Sequence, residues 1–168
     1  MSNQRSELSL EQEGASGWIA DENIHWPSEE TVAGVAERRY ELYEAMRRLE
    51  AAVARPSGLA DWRIEIETAI TNLDRSLDDH IHRTEADDGL FAEIRVASPH
   101  LASRIADLEE EHGELRAACR EALSMAADWS PTGLRRKANV LLARLAFHRQ
   151  NGAELLYDAY NVDIAAGD

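Results

Sequence analysis

The stretch WRIEIETAITNLDRSLDDH, residues 62–80, decides the fold class. Its large apolar residues recur every three or four positions, which places them on one face of an α-helix. These residues are Trp62, Ile66, Ile70, Leu73 and Leu77. The next position on that face is occupied by His80 instead of another apolar residue. The stretch therefore predicts a long amphipathic helix whose buried face contains a histidine.

The same spacing recurs in three other stretches, and the four predicted helices cover about 31–55, 62–95, 100–127 and 133–160. Proline or glycine marks each break between them, at 55–58, 98–99 and 130–133. Because the connections are short, consecutive helices should pack as antiparallel neighbours. We predict an all-α protein with an up-down-up-down antiparallel four-helix bundle over residues 28–168. Residues 1–27 are polar and lack a sustained period, which predicts a flexible acidic N-terminal arm.

Composition narrows the classes of function. The 168 residues include 18 Lys and Arg against 32 Asp and Glu, a formal net charge of −14. Such a charge argues against nucleic acid or an anionic membrane surface as the partner. The single cysteine, Cys119, excludes an internal disulfide and favours a reducing compartment. No apolar run has the length of a signal peptide core or a membrane span, so we expect a cytoplasmic protein.

A polar residue interrupts the apolar face of every predicted helix. These interruptions are Arg39, His80, His112 and His148. Counted from one end of the predicted bundle, they lie about 15 to 18 residues along their helices, or roughly 22 to 27 Å. Polar groups at one height in a core must satisfy each other or hold something. The pattern therefore predicts a polar layer inside the bundle.

Three imidazoles with acids nearby suggest a metal site. Histidine nitrogens and carboxylates together suit iron, manganese or zinc, and bundle interiors build such sites from facing helices. The acids nearest the layer are Glu85, Glu154 and, on the first helix, Glu41 or Glu44. The alternative is a metal-free layer in which the histidines bond to acids and fix the register of the helices.

Three segments on successive helices resemble the hemerythrin-like, HHE cation-binding domain family. They are HIHRTEADDGLFAEI at 80–94, DLEEEHGEL at 107–115 and LAFHRQNGAELLYDAY at 145–160. The resemblance implies a non-haem iron site, usually two irons bridged by carboxylates and an oxygen atom. It further implies binding or sensing of dioxygen, peroxide or nitric oxide, and in some members oxidation chemistry.

The resemblance assigns His112 and His148 as metal ligands. The family usually places an acid four or five positions after the second of these, where this chain has Gly152 and Ala153. The first acid is Glu154, six positions on, which would face the site only if a π-bulge shifted the helix by one residue.

The second helix offers two candidate histidines. The heptad spacing selects His80, with Glu85 five positions on as a further ligand. The segment HRTEADDGLF at 82–91, however, aligns without gaps with HRQNGAELLY at 148–157 and favours His82. The two side chains are about 200° apart on a regular helix, so only one can face the core. We prefer His80.

The first helix departs most from the family, which commonly supplies a histidine there. Its interrupting residue is Arg39, and a fixed cation beside a metal is unfavourable. Tyr40, Glu41 and Glu44 are the substitute ligands nearby. A missing ligand would leave an open coordination position or reduce the site to one metal.

Three functions remain open. The first is a metal protein, monomeric or homodimeric, whose partner is a small oxidant: dioxygen, hydrogen peroxide or nitric oxide. The second is a metal-dependent oxidase or oxygenase, which would need a pocket for a small organic substrate beside the layer. The third is a zinc-bound or metal-free bundle that serves as an interaction module.

Overall fold

The structure, a computed structural model, describes residues 29–124, 126 and 128–161, with side chains from residue 40 to residue 160 outside those gaps. The described chain is helical and contains no strand. Its elements are α1 (Glu29–Ala54), α2 (Trp62–Glu85), α3 (Leu90–Ala97), a 3₁₀ turn (Pro99–Leu101), α4 (Ala102–Ser124) and α5 (Pro131–Asn161). The prediction of an all-α protein is confirmed. The predicted N-terminal arm lies outside the described residues.

The four long helices form a helical bundle. Each of α1, α2, α4 and α5 packs against two of the others, in the ring α1–α2–α4–α5–α1. Contacts at one end of the bundle join helix termini, because Arg135 at the start of α5 donates to the carbonyl of Arg55 just after α1 over 2.6 Å. Arg63 at the start of α2 likewise donates to the carbonyl of Trp129, beyond α4, over 2.8 Å.

The helix ends follow from the sequence. α1 ends at Ala54 because Pro56 lacks an amide donor and disfavours helical geometry at the residue before it. α5 begins with Pro131, two residues before the predicted start, since proline is tolerated at the first helical position. The hydroxyl of Ser130 accepts a hydrogen bond from the amide of Gly133 and so caps α5.

The predicted second helix is divided in two. α2 ends at Glu85, and residues 86–89 turn the chain before α3 begins at Leu90. At Gly89 a β-carbon would lie 2.7 Å from the carbonyl oxygens of both Arg83 and Thr84. Because only glycine allows this close approach, the turn can fold back against the end of α2.

Two apolar clusters fill the bundle. The larger includes Leu77, Leu115 and Leu145, and the smaller is formed chiefly by α3, the first part of α4 and the last part of α5. The smaller cluster contains Phe91, Ile94, Leu101, Ile105, Leu108, Leu155 and Ala159. Along α4 and α5, the predicted polar layer falls between the residues of the two clusters. Among the described helices, none has the length and apolar character needed to cross a membrane.

Candidate metal centre

Three histidines from three helices meet in the bundle core. They are His80 of α2, His112 of α4 and His148 of α5, and their ligand nitrogens all lie within 4.8 Å of one another. The Nε2 atoms of His112 and His148 are 3.1 Å apart. These two side chains are buried, with 1% and 5% of their surface exposed, whereas His80 is half-buried. We call these three residues the histidine cluster.

Carboxylates contact two of the rings at Nδ1, the nitrogen that faces away from the other imidazole. The Nδ1 atom of His112 lies 2.6 Å from Oε1 of Glu85, and the Nδ1 atom of His148 lies 2.8 Å from Oε2 of Glu111. The side-chain amide of Asn151 donates to the other oxygen of Glu111 over 2.6 Å. An ionised carboxylate only accepts hydrogen bonds, so wherever these carboxylates are ionised the Nδ1 atom donates and the Nε2 atom presents its lone pair to the cluster.

Burial keeps these rings neutral. It lowers the pKa of His112 to about 2, assisted by the nearby His148 and His80. Burial also lowers the pKa of His148, although its hydrogen bond to Glu111 opposes the shift. The 3.1 Å between their Nε2 atoms is a hydrogen-bond distance when one of these nitrogens carries a proton, and a cation bound by both lone pairs would replace that hydrogen bond. The contact therefore fits both a metal-free polar layer and a bound metal ion.

The distance between His112 and His148 and the types of donor atom suit a metal ion. Nitrogens bound to one zinc-like ion at about 2.0–2.1 Å, with angles of about 90–110°, are themselves about 2.8–3.4 Å apart. The separation of 3.1 Å between His112 and His148 falls in that range. Neutral imidazoles suit iron, zinc and copper, and the carboxylates behind them increase ligand basicity.

Packing fixes the remaining faces of the rings. Phe91, the second residue of α3, stacks on His112 with the planes 15° apart and the centroids 5.8 Å apart. His80 meets both other imidazoles edge-on. The carbonyl of His80 accepts a hydrogen bond of 2.6 Å from the hydroxyl of Thr84. The cluster is thus oriented by contacts within the protein.

An apolar cavity of about 50 Å³ adjoins the histidine cluster. All three histidines contribute to its lining. The other lining residues are Leu42, Thr84, Leu90, Phe91, Leu108, Arg149, Gly152, Leu155 and Leu156. A water molecule needs about 10–15 Å³ by this kind of measure, so the cavity has room for a few atoms beside the cluster.

Comparison with protein families identifies the domain. The sequence model described as the hemerythrin HHE cation binding domain matches residues 38–159. The chain belongs to this family. The resemblance seen in the sequence is confirmed, and the matched part of this HHE domain includes the whole histidine cluster. Comparison with curated proteins and with solved structures gives no significant match.

The HHE domain brings together only some of the predicted site residues. His80, His112 and His148 meet, and Glu85 contacts His112 through a ring nitrogen. The other candidates lie outside the histidine cluster. His82 is exposed, Tyr40 is 63% exposed, Glu44 is half-buried, and the exposed Glu154 accepts a hydrogen bond from Gln150.

Regular helix geometry explains why Glu154 does not reach the cluster. α5 is an uninterrupted α-helix from Pro131 to Asn161, without the π-bulge that would turn this side chain inward. At about 100° per residue, Glu154 lies about 120° around the helix from His148. The same geometry separates His82 from His80 and leaves His82 facing outward.

Sequence reasoning missed three residues that support the HHE domain's site. The sequence pattern assigns no role at the site to Glu111, Asn151 or Phe91. A signal for Asn151 exists, because it lies three residues after His148 and so on a neighbouring part of the same helix face. For Phe91 no signal in the sequence could distinguish ring stacking from ordinary core packing.

Proposed function

We propose that this HHE domain binds iron at His80, His112 and His148 and there binds or senses a small oxidant, namely dioxygen, hydrogen peroxide or nitric oxide. The observation that carries the proposal is the pair of buried imidazoles whose Nε2 atoms lie 3.1 Å apart, each with a carboxylate at Nδ1. Iron, when bound, supplies a redox-active Lewis acid to which such a molecule can bind. Zinc and manganese are the competing metals.

The protein's own residues have three tasks in this proposal. Glu85 and Glu111 hold the protons on Nδ1 of His112 and His148, which leaves the Nε2 lone pairs available. Phe91 restricts the rotation of His112 by stacking on its ring. The apolar lining of the cavity favours small uncharged molecules over ions.

The cavity also separates the small-oxidant function from the oxidase alternative. A cavity of about 150 Å³ holds benzene, and typical ligand pockets occupy about 300–1,000 Å³. The cavity beside the histidine cluster, at about 50 Å³, is smaller than either. Its size supports a diatomic molecule or hydrogen peroxide in preference to an organic substrate.

The proposal includes the up-down-up-down topology, in which neighbouring helices are antiparallel. The hydrogen bond from Arg135 to the carbonyl of Arg55 supports it, because it joins the start of α5 to the end of α1. The bond from Arg63 to the carbonyl of Trp129 supports the same relation between α2 and α4. With this topology, the three residues of the histidine cluster lie at one height along the bundle.

Metal analysis of matched histidine variants tests the function. The protein is loaded with Fe²⁺ under anaerobic conditions, desalted, analysed for iron, and exposed separately to air, hydrogen peroxide and nitric oxide while spectra are recorded. We expect retained iron and a new near-ultraviolet or visible band with at least one of these molecules. His112→Ala should lose the iron and the band, because it removes a central ligand.

The control is His82→Ala, which removes an exposed imidazole from the same protein. It should retain iron at the wild-type level. Equal iron in the His112→Ala and wild-type proteins would show that the site lies elsewhere. Retained iron without a spectral response to any of the three molecules would overturn the small-oxidant function and favour a structural metal.

A further inference from the structure

On α2, α4 and α5, the positions directly above and below the histidine cluster hold no strong metal ligand. Toward α3, the positions one helical turn from the histidines are Thr84, Leu108 and Gly152, four residues from His80, His112 and His148 respectively. All three line the cavity. On the other side, the corresponding layer is formed by Leu77, Leu115 and Leu145, which are at most 2% exposed.

The cavity layer is poor in donors for specific reasons. The hydroxyl of Thr84 donates to the carbonyl of His80 over 2.6 Å. Leu108 is apolar, and a β-carbon added to Gly152 would have nothing within 4 Å. The position one turn beyond His148 is therefore space, where a longer side chain would reach toward the cluster.

The nearest carboxylates are already engaged. Glu85 bonds to Nδ1 of His112, while Glu111 bonds to Nδ1 of His148 and to Asn151. Among the residues whose side chains are described, the cluster of convergent donor atoms consists of three imidazoles and includes no carboxylate oxygen. Two divalent ions a few ångströms apart repel strongly and need anionic ligands between them.

We infer that the site holds one metal ion per chain, on His80, His112 and His148. The inference extends to the adjacent apolar cavity, which we call the chamber. The chamber takes a small uncharged molecule and is not a second metal position. The inference rests on the proposed metal-binding function and specifies the number of ions and the role of Gly152. Gly152 determines the size of the chamber because it contributes no side chain to it.

Stoichiometry tests the first part. The full chain, freed of metal, is titrated with Co²⁺ under anaerobic conditions while its visible absorption is followed, and bound cobalt is measured after desalting. One equivalent per chain supports the inference. Two equivalents overturn it while leaving the proposed metal site intact. No retained cobalt, together with no retained iron in the loading experiment, overturns the proposed function itself.

The second part is tested by filling the chamber. Gly152→Val adds a β-carbon and two methyl groups in the open space, and Gly152→Ala, which adds only the β-carbon, is the matched control. We expect both variants to bind one metal, since no ligand is changed. Nitric oxide should bind to the Fe²⁺-loaded Gly152→Val protein at least tenfold more weakly than to the Gly152→Ala protein.

Circular dichroism and thermal unfolding establish that both variants fold. Equal affinity of the two variants for nitric oxide would overturn the assignment of the chamber. Loss of the metal from a folded Gly152→Val protein would also overturn it, because the space would then belong to the metal position.

Discussion

Glu111, on α4, contacts two residues of α5 through its two carboxylate oxygens. One oxygen accepts from Nδ1 of His148, and the other accepts from the amide of Asn151. A negative charge at this position increases the electron density available at Nε2. In the proposed site the residue would act on the metal through His148, and its loss should change affinity without removing the site.

We expect Glu111→Gln to weaken metal binding by about 10- to 100-fold, the usual effect of changing such a hydrogen-bond partner. Its amide oxygen can still accept from Nδ1, so the ring should keep its place while the charge is lost. Competition with a chelator of known affinity measures the change. Glu110→Gln, an exposed neighbour, should bind like the wild type. An unchanged affinity in Glu111→Gln would mean that the carboxylate only positions the ring.

The individual histidines could be predicted because each interrupts an apolar face at its expected place. The preference for His80 over His82 has the same origin, since heptad spacing specifies which side chain points inward. Glu154 was proposed by analogy to a motif, and the local helix turns its side chain away from the cluster. The carboxylates' contacts with Nδ1 atoms depend on rotamers and distances between helices, which a single sequence does not give.

At the scale of elements, the decisive feature is the turn between α2 and α3. The sequence predicts one continuous helix there, because Thr84 and Phe91 are seven residues apart and preserve the heptad spacing across the break. The sequence nevertheless marks the turn with Gly89, where nearby carbonyl oxygens leave no room for a β-carbon. The main helix boundaries elsewhere were predictable because proline marks them.

Replacing Gly89 by alanine should destabilise the protein by about 1–3 kcal/mol, as over-packing commonly does. The backbone at Gly89 is extended, with φ of −83°, so the cost comes from contact with the carbonyl oxygens of Arg83 and Thr84. Displacement of α3 should also loosen Phe91 from His112 and lower metal affinity. Chemical unfolding and chelator competition measure the two effects.

Gly58→Ala is the control for this change, because a β-carbon there would have nothing within 4 Å. It should leave both stability and metal affinity near the wild-type values. If Gly89→Ala behaved in the same way, the turn between α2 and α3 would tolerate a side chain and would not position Phe91.

At the scale of the whole molecule, the histidine cluster separates two apolar clusters that belong to one bundle. His112 and His148 bury polar rings at this boundary and are held by carboxylates that are themselves only partly buried. A metal bound there connects α2, α4 and α5. Binding energy at the site should therefore appear as stability of the entire fold.

We expect Co²⁺, added anaerobically at about 100 times its dissociation constant, to stabilise the protein by about 2.7 kcal/mol. For a chain of this length, that corresponds to a rise of about 5–10 °C in melting temperature. Excess chelator should reverse the rise. His100→Ala, an exposed control, should show the same rise, whereas His112→Ala should show none. A rise of equal size in His112→Ala would place the stabilising metal elsewhere.

Three imidazole ligands leave the choice of metal largely to the supply of metal ions around the protein. Imidazole binds most divalent transition ions, with affinities that increase from manganese through iron to copper, and zinc also binds more tightly than iron. A site without an anionic ligand among its convergent donors has little means of reversing that order. The metal that the protein carries should therefore follow the supply of free ions while it folds, so growth medium and expression host become part of its chemistry.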